Sequence, residues 1–179
     1  MNNKSYIEKV SAYKEYIDTH RKNVQKMYNI YGEELCKRLR VDYKRLGERI
    51  EDHDESKYSK EEFEGFRAYY YPTLEEEADK ENRGLRKKQY DAAWLHHLRN
   101  NAHHPEFWIY MDEDGNNQCH PMDPIHIAEM LLDWAGMGVF FKKTAYEYWF
   151  DNIHSKPLHK DTMAIVDNVI DIFKENKHS

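Results

Sequence analysis

Apolar positions recur along most of this chain at spacings of three and four, and strict alternation is nearly absent. That period gathers apolar side chains on one face of a helix. Tyr13, Ile17, His20, Val24 and Met27 share the inner face of a first helix predicted over 5–30. Leu35, Leu39, Leu46 and Ile50 mark the inner side of a second, over 33–52, and His53 and Asp54 continue that face three and four positions past Ile50. Ser59 with Glu62 three residues on carries a capping-box signature. It opens a third helix through Phe63, Phe66 and Tyr70 that ends near Tyr71-Pro72. The acidic, then basic, segment 74–84 reads as an exposed helix or connection, and as the best place for a mobile flap.

A helix over 85–103 has Tyr90, Trp94, Leu95, Leu98 and Ala102 on its apolar arc. His97 and His104 fall together at one edge of that arc. His96 and His103 fall on the far side with Arg99, where a solvated position is expected. Pro105 disfavours helical geometry just before it, so the projection holds for His103 and His104 only if the helix reaches them. Residues 105–121 read as an irregular loop with a turn at Asp114-Gly115. Asp123-Pro124 opens a helix through Ile127, Met130, Leu131 and Trp134, with a stop predicted near 136–138. Asp133 lies at the border of its buried face and Glu129 one turn earlier. Either reads equally well as an ordinary solvated acid. Helices over 143–150 and 161–174 complete the chain, the last striped by Met163, Val166, Val169, Ile170 and Phe173. The expected fold is an all-α bundle of six to eight helices forming one domain over 1–179.

Composition narrows the function. The chain has 179 residues, enough to bury a single core, and a formal net charge of −6, which argues against a general nucleic-acid binder. No apolar run approaches bilayer length, and the opening residues Met-Asn-Asn-Lys-Ser lack the apolar core of a signal peptide, so a cytoplasmic protein with no membrane partner is expected. Cys36 and Cys119 have no CxxC spacing and read as two reduced thiols. Eleven histidines are many for this length, and four of them fall between positions 96 and 104.

Helix phase sends several polar groups inward: His20, His53-Asp54, His97, His104 and Asp133, each from a different helix or bend. A single inward histidine is ordinarily satisfied by a backbone group or a tyrosine. Two adjacent ionisable groups facing a core must be paired or bind a metal to offset desolvation. Imidazole and carboxylate together suit one or two divalent transition metals, with Mn, Fe, Co, Ni and Zn all compatible.

The order H…HD…D resembles the HD-domain superfamily of metal-dependent phosphohydrolases. His53-Asp54-Glu55-Ser56-Lys57 is similar to the HDxGK segment of the HD-GYP branch, with Ser56 where glycine is usual, and His103-His104 with Glu106 is similar to its paired-histidine segment. The glycine-rich GYP signature is absent. The chain more closely resembles an uncharacterised family of small bacterial and phage proteins carrying HDxSKxxxEEF, HHxxxNxHHPE and EMLxDW segments, here His53 to Phe63, His96 to Glu106 and Glu129 to Trp134.

The HD resemblance implies a helical bundle in which His20, His53, Asp54 and Asp133 hold one metal. Asp54 would bridge to a second, held by His97 and His104 with His103. A metal-activated water would attack a phosphate ester, a nucleotide or nucleoside monophosphate being the implied substrate class. Lys57 would act with Asp54 in catalysis and neutralise phosphate charge, helped by Arg99 or Arg67. Asn100 would orient a ligand or a histidine. Two alternatives stand beside this reading: di-iron oxygen chemistry on an HD-like scaffold, and a non-catalytic, metal-stabilised binding or phage accessory protein.

Overall fold

A computed structural model describes residues 3–175, with side chains for residues 5–153 and 155–175. The α-helices are α1 (Asn3–Leu39), α2 (Tyr43–Glu51), α3 (Phe63–Tyr70), α4 (Leu74–Ala78), α5 (Arg83–Asn100), α6 (Pro124–Phe141), α7 (Ala145–Asn152) and α8 (Lys160–Asp167). Short 3-10 turns at Glu55–Tyr58, Pro105–Trp108 and Ile153–Ser155 lie between them, and one at Ile170–Phe173 follows α8. The fold is all-α, as the periodicity predicts. One departure is an antiparallel hairpin, β1 (Ile109–Met111) with β2 (Asn117–Cys119), in the segment expected to be an irregular loop. Its strands have three residues each and are mostly exposed, so no alternation marks them. The expected turn at Asp114-Gly115 is present, with Gly115 at φ 82°.

The described residues fall into two compact units. The first combines the chain up to Thr19 with Asp54–Asn101, and the second combines His20–His53 with the chain from Ala102. Each has its own apolar core. Tyr13, Ile17, Phe66 and Ala93 form that of the first, with Tyr16, Phe63, Tyr71, Tyr90 and Trp94 packed around it. The second is larger. It includes Val24, Met27, Leu35, Leu46, Ile50, Ile127, Met130, Leu131, Trp149, Val166 and Phe173. The stripes read from α1 and α2 are buried as expected, His20, His53 and Asp54 included.

Helix ends differ from the expected ones for local reasons. Where two helices were predicted across residue 31, α1 runs on to Leu39. The break comes at Arg40, which adopts φ 55°, and Asp42 then caps α2 by accepting from the Arg45 N–H. Glycines 136 and 138 do not stop α6. A Cβ on Gly136 would lie 2.8 Å from Val24 Cγ2 and 3.0 Å from Val24 N, so this glycine permits close approach of α6 to α1 within the second unit. A Cβ on Gly138 would lie 2.1 Å from the Lys143 carbonyl oxygen, and the Lys143 N–H bonds to the Gly138 carbonyl as the chain leaves the helix through Lys142 at φ 54°.

In α5 the buried face is centred on Ala93 and His97, and Leu95 is 48% exposed. The predicted arc is therefore rotated towards His97. The Ser59–Glu62 capping box does not form: α3 starts at Phe63, with no side-chain cap from Glu62. Working capping boxes occur instead at Thr73–Glu76 and Thr144–Glu147. The last predicted helix divides into α8 and the turn Ile170–Phe173, keeping Val166, Val169, Ile170 and Phe173 buried.

Candidate metal centre

In the second unit, three residues from α1, the end of α2 and α6 meet at one point. His20 Nε2 lies 3.3 Å from His53 Nε2 and 3.2 Å from Asp133 Oδ1, and His53 Nε2 lies 3.6 Å from the same carboxylate oxygen. Both imidazoles are buried and Asp133 is nearly so. Ligands about 2.1 Å from a tetrahedral metal stand about 3.4 Å from one another, so this triangle has the size of a coordination face. Helix phase produces it. His20 precedes Val24 by one turn, Asp133 precedes Gly136 by nearly one turn, and the Val24–Gly136 contact fixes how closely the two helices pass.

Behind His53 stands Glu129, 2% exposed. Glu129 Oε2 accepts from Arg49 Nε at 2.7 Å, and Oε1 lies 3.2 Å from both His53 Nδ1 and His103 Nδ1. Burial alone would push this carboxyl up, but the imidazoles of His103, His126 and His53 outweigh it and hold the group far below the usual carboxylate range. Asp133 follows the same logic. Burial opposes its ionisation, and His20 and His53 pull it well below its ordinary value. Two sets of three thus have one potential ligand atom each within 4.8 Å of one another: His20, His53 and Asp133, and His53, His103 and Glu129. His103, expected on a solvated side, is buried because α5 ends at Asn100 and the projection no longer applies. The His104 ring lies on His103, centroids 4.3 Å apart, and is half-buried.

The first unit holds a second polar cluster. Asp54 adopts φ 56°, a left-handed conformation uncommon outside glycine, asparagine and aspartate, and its Oδ2 accepts from Lys57 Nζ at 2.6 Å. Its Oδ1 lies 3.4 Å from His97 Nε2. His97 Nδ1 bonds to Glu62 Oε2 at 2.9 Å, and Glu62 Oε1 takes His96 Nδ1 at 2.7 Å. Glu62 is fully buried. Burial pushes its carboxyl up, yet His97 and His96 hold it below the usual range.

Several sequence assignments change on this geometry. His96 is half-buried and tied to Glu62 rather than fully solvated. Asn100 is exposed and bonds back to the His96 carbonyl at 2.8 Å. Its neighbour Asn101 is the buried one, reaching Ser56 Oγ at 2.8 Å and His97 Nδ1 at 3.1 Å. Asn101 is also the asparagine of the HHxxxNxHHPE spacing, a signal the sequence already carried. Arg67 is fully buried and paired with Glu64 and Glu76. Arg99 is exposed. Glu62 and Glu129 are the residues that sequence reasoning undervalued, one as a cap and the other as a solvated acid.

A family model matches residues 9–172, nearly the whole chain; its description is a family of unknown function, DUF5662. The chain belongs to the DUF5662 family. That match spans α2, α3, α5 and α6 entire, and so covers both polar clusters. No curated protein and no solved structure matches the chain. Among the described residues no helix is long and apolar enough to cross a membrane, and Cys36 and Cys119 are both free thiols.

Proposed function

We propose that this protein is a metal-dependent hydrolase of phosphate esters, with a nucleotide or nucleoside monophosphate as its substrate class. The observation that carries the metal is the triangle of His20 Nε2, His53 Nε2 and Asp133 Oδ1, with sides of 3.2 to 3.6 Å. A proton on one imidazole serves some of the lone pairs gathered there, whereas a divalent cation serves them all. Such an ion supplies an activated water at neutral pH and a Lewis acid for phosphoryl oxygens. Asp133 contributes the charge, and His20 and His53 the neutral donors. The H…HD…D order of the HD-domain superfamily supports hydrolysis over other metal chemistry. Lys57 takes its role as the phosphate-neutralising cation from its spacing after His53 in that motif.

A second reading, a metal held for stability, is favoured by one observation: His20 and His53 are each 1% exposed. Structural sites are closed, whereas catalytic ones keep a position open. One experiment separates the two. Purified protein loaded in turn with Mn, Fe(II), Co, Ni or Zn is screened against nucleoside monophosphates and other phosphate esters. Metal-dependent turnover that His53→Gln abolishes supports the hydrolase. Metal binding that raises the melting temperature without turnover of any ester supports the structural reading.

A further inference from the structure

Resting on the metal reading above, we propose that Glu129 is a positioning residue that fixes the tautomer of His53, so that His53 offers Nε2 to the metal. The carboxylate is buried and anchored through Oε2 by Arg49 Nε at 2.7 Å. Its other oxygen lies 3.2 Å from His53 Nδ1. An ionised carboxylate only accepts, so His53 carries its hydrogen on Nδ1. In a neutral imidazole the lone pair then lies on Nε2. That atom is the one placed 3.3 Å from His20 Nε2 and 3.6 Å from Asp133 Oδ1.

Glu129 therefore works from behind, through His53, and does not enter the triangle. The arrangement is the carboxylate–histidine–metal relay in which a partner behind the ligand fixes ring orientation and raises its basicity. Arg49 has a defined part as well: it holds the Glu129 carboxylate in the orientation that points Oε1 at His53. The sequence carries the same relation, because Glu129 and Asp133 are one helical turn apart on α6. One acid reaches the front of His53 and the other its back.

The test has two arms. In the first, long-range proton–nitrogen correlation NMR on the metal-free wild-type chain at neutral pH, with His53 assigned by comparison with His53→Gln, reads the tautomer directly. The Nδ1–H form is expected, and an Nε2–H form overturns the proposal whatever the protein binds. In the second, the dissociation constants of Zn and Co are compared for wild type and Glu129→Gln, with far-UV circular dichroism as the folding control. A 10- to 100-fold weakening is expected, the size found when such partners are removed. Unchanged affinity in a folded variant overturns the proposal, and if the variant does not fold the wild-type NMR decides alone. Wild-type protein that binds no metal but shows His53 as Nδ1–H defeats the metal reading and leaves the tautomer assignment standing.

Discussion

His20 and Asp133 come from α1 and α6 and meet with Nε2 3.2 Å from Oδ1. The carboxylate is held well below its ordinary pKa by His20 and His53 against the opposing effect of burial. Asp133→Asn keeps the shape and removes the charge. Its expected effect is a loss of metal affinity of at least tenfold, with metal-free stability lower by about 1–3 kcal/mol because the buried His20 imidazole loses a charged acceptor. Isothermal titration with Zn and urea unfolding measure the two. Wild-type affinity in the variant removes Asp133 from the ligand set.

Gly136 sets the distance over which that pair meets. A Cβ there would strike the Val24 side chain and backbone. Gly136→Ala is expected to destabilise by about 1–3 kcal/mol through overpacking and also to weaken metal binding, although residue 136 touches no ligand. Loss of stability with unchanged metal affinity would show that His20 and Asp133 tolerate a wider helix separation than the geometry implies.

Glu62 and Ser59 make a discriminating pair. If they formed a capping box, alanine at either position would cost a similar amount, about 1 kcal/mol. Glu62 instead bonds His96 and His97, and Ser59 Oγ has no hydrogen-bond partner among the described residues. Glu62→Ala is expected to cost about 2–3 kcal/mol, mainly by stranding the buried His97 imidazole, and Ser59→Ala under about 0.5 kcal/mol. Equal losses in urea unfolding would restore the capping box.

Arg67 and Glu76 predict an acid-sensitive first unit. Arg67 is fully buried against Glu64 and Glu76, and the hydrogen bonds from Arg67 bring the Glu76 carboxyl down from 4.5 to about 2 despite partial burial. A depressed folded pKa contributes stability that is fully present above 4.5 and is lost as pH falls towards 2. The contribution is at most about 3 kcal/mol, and less after screening because the Glu76 side chain is 17% exposed. Glu76→Gln should therefore flatten the loss of stability between pH 4.5 and 2. A variant whose acid profile matches wild type would locate that sensitivity elsewhere.

The helices and most of the inward polar groups were legible in the sequence because a helical stripe reports burial directly. His20, His53, Asp54 and Asp133 lie where their phase puts them. The misreadings arose where phase stops applying. His103 lies past the end of α5, so a helical projection sent it to the wrong side. The break after α1 depends on a left-handed Arg40, which no turn residue advertises. Gly136 looked like a helix stop because close packing of two helices and termination of one call for the same residue. Glu129 and Glu62 were hidden by their type: a glutamate on a helix is usually solvated, and only the histidines brought against these two distinguish them.

On the reading proposed above, the His20–His53–Asp133 triangle holds a metal. Inductively coupled plasma mass spectrometry on the purified protein, wild type beside His53→Gln, measures it most directly. A divalent transition metal is expected in at least one copy per wild-type chain, lost in the variant, with a lower melting temperature for the variant than for metal-loaded wild type. Wild-type protein that holds no metal, takes up none when it is offered, and melts at the same temperature as His53→Gln would contradict it.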